Sequence, residues 1–387
     1  MRDNQMHQHY DIAIIGGGIT GLSSAYHLGK SKDLKICLST SSEVSASRSS
    51  ANMISGGLID NFTRIVQRHG PEKAEQAWKY SNHAFDALME FAKANGIKTV
   101  KGERRRLIET PDELEECKKA VVELNEAGFK SLMEKAPDGS EHLLGQQNDG
   151  ERAASIDSQG LLDYLEKSTS TVTRLGKTTR VIRESQQFKI ETEKESFTAE
   201  VIIYANHLDI SHFLPGLKEV LVSSQDQWLR MQTEAGTLPF APGTVLSWRH
   251  GHYWAQIESD RQLTMGGARF LRPMAGFEAD KAELSEKVSK NLPEAWAKYF
   301  PKRPLTKMIA SKASLDIRPC DEIPVIGPMF GETGIFLGAG YMGQGISLGF
   351  KAGQSLAQLV LGKSDELPRF FWPERHRSLA STDNEEN

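Results

Sequence analysis

Residues 10–28 read YDIAIIGGGITGLSSAYHL, and the architecture of the chain follows from them. Tyr10 to Ile15 is a short apolar run with the length of a strand buried on both faces. Gly16, Gly18 and Gly21 then take the spacing G-x-G-x-x-G, with Ile19 and Thr20 inside it. The first glycine allows a tight turn. The second lets the backbone approach a pyrophosphate, and the third lets helix pack close on strand. Leu22 to Leu28 reads as a helix with Leu22, Ala25, Tyr26 and Leu28 on its inner face. A charged turn, Lys30–Asp33, leads to a second short strand, Leu34–Leu38. Strand, turn, helix and strand fit in about 30 residues, the size of a βαβ unit. The helix N-terminus presents free N–H groups and a positive dipole end to an anion. The N-terminal part is therefore a Rossmann-like, dinucleotide-binding domain.

Further along, Ser45–Gly57 is rich in glycine and small polar residues and reads as one long loop. An amphipathic helix is predicted over 72–95, behind Pro71, and a second from Pro111 to Gly128. Val181-Ile182, Phe188–Thr192 and Glu200–Ala205 read as strands. From Trp228 to Phe270 short alternating segments are broken by Gly, Pro and Asp, the pattern of an antiparallel meander. A helix over 280–300 follows. Val325–Gly327, Ile335–Gly340 and a helix from Gly343 to Leu361 close the core, and a polar tail from Ser364 is expected to fray at its end.

Composition limits what such a chain does. Its 387 residues are 39% hydrophobic and 25% charged, enough for one two-lobed unit or two domains. Net charge is 47 − 51 = −4, which argues against binding driven by nucleic-acid phosphates. Arg104-Arg105-Arg106, flanked by Glu103 and Glu109, reads as a solvated edge strand rather than a nucleic-acid patch. Mean hydropathy is −0.44, and no apolar run approaches the roughly 20 residues of a membrane helix. The first ten residues lack the apolar core of a signal peptide. Cys37, Cys117 and Cys320 are too few and too scattered for a disulfide framework or a zinc site. The expectation is a soluble, cytoplasmic protein.

The C-terminal third sharpens the reading. It runs Leu315-Asp316-Ile317-Arg318-Pro319-Cys320-Asp321-Glu322-Ile323-Pro324-Val325-Ile326-Gly327-Pro328, then Gly338-Ala339-Gly340-Tyr341-Met342-Gly343-Gln344-Gly345. With the N-terminal turn, this resembles the D-amino-acid oxidase-like family of flavoproteins, which includes glycine oxidase, sarcosine oxidase and D-amino-acid dehydrogenase. That family's pattern is G-x-R-P, then D-G-x-P-x-I-G-P, then G-x-G-x-x-G-x-G opening a helix. The resemblance spans nearly the whole chain.

It implies an α/β fold: a Rossmann-like FAD-binding domain of the GR2 flavoprotein type, with a second, mostly antiparallel α+β substrate domain. The FAD domain is expected over 8–95, 150–215 and 313–363, the substrate domain over 96–149 and 216–312, and the tail over 364–387. FAD is the implied cofactor. Its pyrophosphate is expected on Gly16, Gly18, Ile19, Thr20 and Gly21. Ser39, Val181, Ala205 and Asn206 are expected along the adenosine half, and Arg48 in the flavin loop Ser45–Gly57. Gly340, Tyr341, Met342, Gly343, Gln344 and Gly345 would place a helix N-terminus at the flavin pyrimidine ring, where reduced flavin carries negative charge.

Several positions depart from the family. Its second strand ends in an acidic residue for the ribose hydroxyls. Here Ser39 stands there, and the first acid is Glu43. Its alanine-x-glycine turn is Ala205-Asn206-His207, where Asn206 is expected to take the left-handed conformation. The segment Arg318–Pro324 is about two residues short, and Gln344 replaces a frequent histidine. Cys320 lies two residues from Arg318 but off the spacing of covalent flavin attachment.

The implied activity is oxidation of an amine or amino acid. A hydride passes from the α carbon to flavin N5, and the imine hydrolyses. Partners are the small-molecule substrate and oxygen or a respiratory acceptor. Arg318 is expected to hold a substrate carboxylate in its planar fork. Tyr253, His252, Trp254 and Arg269 are offered as pocket walls, with Tyr253 facing opposite to its neighbours. Two other readings stay open: oxidation of a secondary amine on a larger carrier such as a modified tRNA base, and a non-catalytic flavin-fold assembly subunit.

Overall fold

The computed structural model describes residues 8–41, 45–234, 236, 238–272 and 281–377. Glu43 lies outside them. The chain forms two compact units, each built from separated segments. One comprises Met1–Arg48, Ser158–Val222 and Ile317–Asn387, the other Ser49–Asp157 and Ser223–Asp316. Residues 49–95, grouped by the sequence reading with the FAD domain, fall in the second unit.

The first unit is organised by the strand Gln8–Ile15. It pairs in parallel with Ile36–Ser39 on one side and Ser196–Tyr204 on the other. Ala13, Ile14, Cys37 and Leu38 are fully buried, as a strand covered on both faces requires. Ser196–Tyr204 is forked. Its first half pairs antiparallel with Gln187–Thr192, and Ile202–Tyr204 pair in parallel with Ile335–Leu337. The helix Ile19–Leu28 begins directly after the glycine turn, three residues earlier than Leu22, with Gly18 as its N-cap.

The final helix, Gly345–Val360, packs on that first helix through glycines. A Cβ on Gly349 would lie 2.7 Å from Ile19 Cγ2, and one on Gly353 would lie 2.6 Å from Ser23 Cβ. Ser23 Oγ donates to Phe350 O at 2.6 Å across the same seam.

The end of the polar tail, where fraying is expected, lies outside the described residues, and the part before it carries secondary structure. That part forms short 3-10 helices at Arg369–Phe371 and Pro373–His376. Phe371 is fully buried, and Glu366 pairs with Lys351 at 2.6 Å. Aromatic and charged anchors at these spacings give the segment contacts that its average polarity hides.

The second unit carries an eight-stranded sheet. The meander is antiparallel, with Trp228 paired to Gly266, Gly266 to Trp254 and Trp254 to Ser247. The helix Glu286–Tyr299 contributes Val288, Leu292, Trp296 and Tyr299 to one core with Leu229, Leu246, Trp248, Ala255 and Met265. Ser45–Gly57 is not one loop. Within the second unit Met53–Ser55 is a strand, paired antiparallel with Ala153–Ser155. A helix, Phe62–His69, precedes the Pro71–Ala94 helix and was not foreseen.

The triple arginine also corrects the sequence reading. Arg104–Ile108 is an interior strand, parallel to Val245–Trp248 and antiparallel to Gly145–Asn148. Arg106 is 2% exposed. Arg104 is buried, donating to Gly56 O at 2.6 Å and to Leu58 O. Asp149 lies 3.9 Å from its Nε, and the Trp78 ring 5.0 Å away. Only Arg105 meets acids in the half-open, pairing with Glu103 and Glu134. Buried carbonyls and one aspartate meet Arg104, and Arg106 Nη2 reaches Ile59 O at 3.4 Å, partners that a count of local charges does not reveal.

Candidate functional site

Gly16 has φ 117°, and a Cβ there would strike Ala205 O and lie 2.6 Å from Asn206 N. Only glycine lets the first strand turn this close to the end of Ser196–Tyr204. A Cβ on Gly21 would overlap Gly16 O, so helix and turn touch. Thr20 and Ile19 open the helix and are buried. Ile19 N–H donates to Ser47 Oγ at 3.0 Å. Ser47 was not singled out from the sequence. Its signal is the serine-rich run after the second strand, which supplies an acceptor for an orphan helix N–H.

Beside this turn the adenosine-side residues take different positions. Ser39 is buried and its hydroxyl is engaged within the protein, with Gly176 O at 2.7 Å and Thr178 Oγ1 at 2.6 Å. Ala205 N–H donates to Ile15 O at 2.7 Å, locking the two strand ends. Asn206 has φ −95° and is not left-handed. That conformation falls on His207, at φ 52°, the position of the family's glycine. Val181 is half-buried in the hairpin strand Thr178–Glu184, opposite Ile190. Arg48 ties its loop to the helix Ser158–Ser168. It donates to Gln159 Oε1 at 2.8 Å and pairs with Asp163 and Glu166, each at 2.9 Å.

The second glycine turn joins Ile335–Ala339 to the final helix. Gly340, Met342 and Gly343 have φ 74°, 53° and 80°. Met342 is a buried non-glycine residue in the left-handed region, a strain of about 1 kcal/mol or more that the surrounding turn holds. Tyr341 OH is 2.8 Å from Thr20 Oγ1, so the two turns are bonded to each other. Burial pushes the Tyr341 phenol up, which keeps it a neutral hydrogen-bonding group. Gln344 is the N-cap of the final helix, with its side chain buried. A Cβ on Gly345 would meet open space.

Arg318 lies near the end of the strand Lys307–Pro319. Its neighbours Ile317 and Pro319 are buried, so Arg318 projects from the opposite face. Pro319 packs on the second glycine turn, where a Cβ on Gly340 would lie 2.8 Å from Pro319 Cδ. Cys320 is an exposed free thiol, raised by burial of part of its surface and by Asp321.

In the second unit, Tyr253 is on the helix-covered face of the sheet. It stacks on Trp248 at 5.3 Å and 8°, and its hydroxyl donates to Asn291 Oδ1 at 2.8 Å. Its position is that of a core aromatic. Trp254 lies on the other face, half-buried, and its ring covers Gly266. Arg269 Nε is 3.8 Å from Asp226 Oδ1. His252 is exposed, and burial of part of its ring together with Arg249 and Arg269 holds its pKa below the usual value.

Two observations test the first unit's turns against a flavin dinucleotide. Both amide atoms of Asn206 are buried and have no hydrogen-bond partner among the described residues. Buried polar groups are almost always paired, and a bound group with polar atoms at this place would pair this amide. The first turn of the final helix opens at Gly345 onto space with no heavy atom within 4 Å of an added Cβ. The residues fit FAD. Gly16–Thr20 would hold the pyrophosphate, Asn206 the adenosine half, and the Gly343–Gly345 helix start the flavin.

Comparison with known proteins agrees. The family model DAO, FAD dependent oxidoreductase, matches residues 11–359. The fold is similar to glycine oxidase from Geobacillus kaustophilus, with TM-score 0.74 and 16% identity over 94% of this chain and 98% of that one. It is also similar to L-proline dehydrogenase from P. horikoshii, with TM-score 0.75 and 12% identity over 96% and 99% of the two chains. At such identities the likeness concerns the fold alone. A curated relative, hydrogen cyanide synthase subunit HcnC from Pseudomonas protegens, is 50% identical over 54 residues, a stretch covering 14% of this chain and 12% of the relative's length. No helix among the described residues is long and apolar enough to cross a membrane. The chain belongs to the DAO family of FAD-dependent oxidoreductases.

Proposed function

We propose that the protein oxidises a small amine or amino acid at the carbon bearing nitrogen, and that Arg318 receives the substrate carboxylate. The observation that carries this reading is the placement of Arg318. It stands one residue from Pro319, which packs on the turn leading into the Gly345–Val360 helix. FAD supplies, when bound, an acceptor at N5 for the hydride leaving the substrate and a store from which two electrons pass to oxygen or a respiratory acceptor. The chain's contribution is orientation and charge. The guanidinium of Arg318 offers a planar fork that fixes a carboxylate in two dimensions and so aims the α carbon. The N-terminus of the final helix favours negative charge placed against it. The imine left by hydride loss hydrolyses in water. Tyr253 donates to Asn291 Oδ1 and Arg48 pairs with Asp163, each partner lying within the residue's own unit. The three free thiols accord with a cytoplasmic location.

Anaerobic addition of glycine, sarcosine, L-proline, D-alanine and iminodiacetate to the FAD-loaded protein tests the reading. Bleaching of the flavin spectrum by a member of the set is the expected outcome. Arg318→Lys is expected to raise KM for that compound about a hundredfold, because a point charge replaces the two-pronged fork. A protein that takes up no FAD would support the non-catalytic assembly role instead.

A further inference from the structure

The turn joining Arg318's strand to Val325–Pro328 is the segment that runs about two residues short of the family pattern, and it is unusually tied. Cys320 N–H donates to Val220 O at 2.9 Å, and Glu322 N–H to Pro319 O at 3.0 Å. Ile323 N–H donates to Asp321 Oδ1 at 3.1 Å. Glu322 stands where the family carries glycine and has φ 61°, a conformation unfavourable for any residue with a side chain. Something outside the turn must hold it.

The ordered C-terminal segment does so through one side chain. Arg375 Nε donates to Asp321 Oδ2 at 2.7 Å, and its Nη2 to Asp321 Oδ1 at 3.1 Å and Ile323 O at 2.6 Å. Its Nη1 donates to Pro324 O at 3.2 Å and Phe371 O at 2.8 Å. His376 Nε2 lies 3.4 Å from Asp321 Oδ2. Burial raises the Asp321 carboxyl, but Arg375 outweighs it and holds the group below the usual carboxylate range. Trp372 seats the segment on the next strand, where a Cβ at Gly327 would lie 2.6 Å from its ring.

We propose that Arg375 is a positioning residue for Arg318. Its guanidinium replaces the missing length of the turn, keeps Glu322 left-handed, and so fixes the strand end from which Arg318 projects. This inference rests on the reading of Arg318 as the carboxylate anchor, and the test separates the two. Propionate, a carboxylate without an amine, is titrated into the FAD-loaded enzyme and read by perturbation of the flavin spectrum. Wild type, Arg318→Lys, Arg375→Met, Arg375→Lys and Arg375→Met/Glu322→Gly are compared.

Arg375→Met is expected to keep FAD and to bind propionate about tenfold more weakly, as a misaimed fork loses its geometry. Arg375→Lys should recover part of the loss. Glu322→Gly should recover more, because glycine takes the left-handed conformation unaided. General loosening of the fold predicts no rescue by glycine. If Arg318→Lys weakens propionate and Arg375→Met does not, the positioning role is overturned and the anchor stands. If wild type and Arg318→Lys bind propionate equally, the anchor itself fails. Should Arg375→Met not fold, Asp321→Asn takes its place. It removes the carboxylate but leaves Arg375 its carbonyl acceptors, and unchanged propionate binding there also overturns the role.

Discussion

A buried amide without a partner costs about 1–3 kcal/mol. Asn206 carries that cost in both polar atoms, so its replacement has effects of opposite sign in the two forms of the protein. Asn206→Ala is expected to leave the apoprotein unchanged or up to about 2 kcal/mol more stable, because no hydrogen bond is broken. The same change should weaken FAD about tenfold, the worth of a hydrogen bond to the cofactor. Thermal midpoints with and without FAD, and a fluorescence titration of FAD, check both signs. A loss of apoprotein stability would show that the amide has a structural partner. The residue scale is also where sequence reading was least exact. The alanine-x-glycine turn was legible at 205–207, but its left-handed position fell one residue later, on His207. Ser39 was identified by position, yet its hydroxyl is engaged by Gly176 O and by Thr178, a residue far along the chain.

At the scale of elements, the glycines of the final helix divide by what surrounds them. Gly353→Ala drives a Cβ against Thr20 and Ser23 and is expected to cost about 1–3 kcal/mol, measured as a lower urea midpoint. Gly345→Ala adds a methyl in open space, in the first turn of a helix where alanine is the better former by up to about 1 kcal/mol. It is expected to hold or raise apoprotein stability and to weaken FAD, since the space it fills is the one assigned to the cofactor. The helices and strands around the two glycine turns were legible because glycine spacing and continuous apolar runs are local signals. The short strand Met53–Ser55 was not, since three residues acquire strand character only by pairing with Ala153–Ser155. Arg104–Ile108 was misplaced for a related reason. The carbonyls and aspartate that its buried arginines reach come from segments around 56–59 and 149, and no local count brings them together.

For the molecule as a whole, the acid limb of stability has a named contributor. His27 is pushed down to about 4, first by burial and then by Lys30 and Lys351. Between pH 6.5 and 4 the unfolded chain therefore binds a proton that the native state refuses, and stability falls as pH is lowered through that window. The effect is at most about 3 kcal/mol. Asp321 acts in the same sense, because its depressed pKa also lets the unfolded chain take the proton first, but only at lower pH, below the ordinary carboxylate value. Urea midpoints from pH 7.5 to 4 should slope in the wild type and flatten in His27→Gln.

On the ribosome, Ser196–Tyr204 meets its antiparallel neighbour at once, since Gln187–Thr192 has just been made. The other prong of the fork waits until residues 335–337 emerge. In the interval Ile202–Tyr204 present an unpaired, apolar edge, the kind of template on which nascent chains associate. The sheet of the first unit is thus completed late, although Gln8–Ile15 precedes its other strands in sequence. A message truncated anywhere before codon 335 should yield a chain that neither takes up cofactor nor stays in solution unless a chaperone shields that edge.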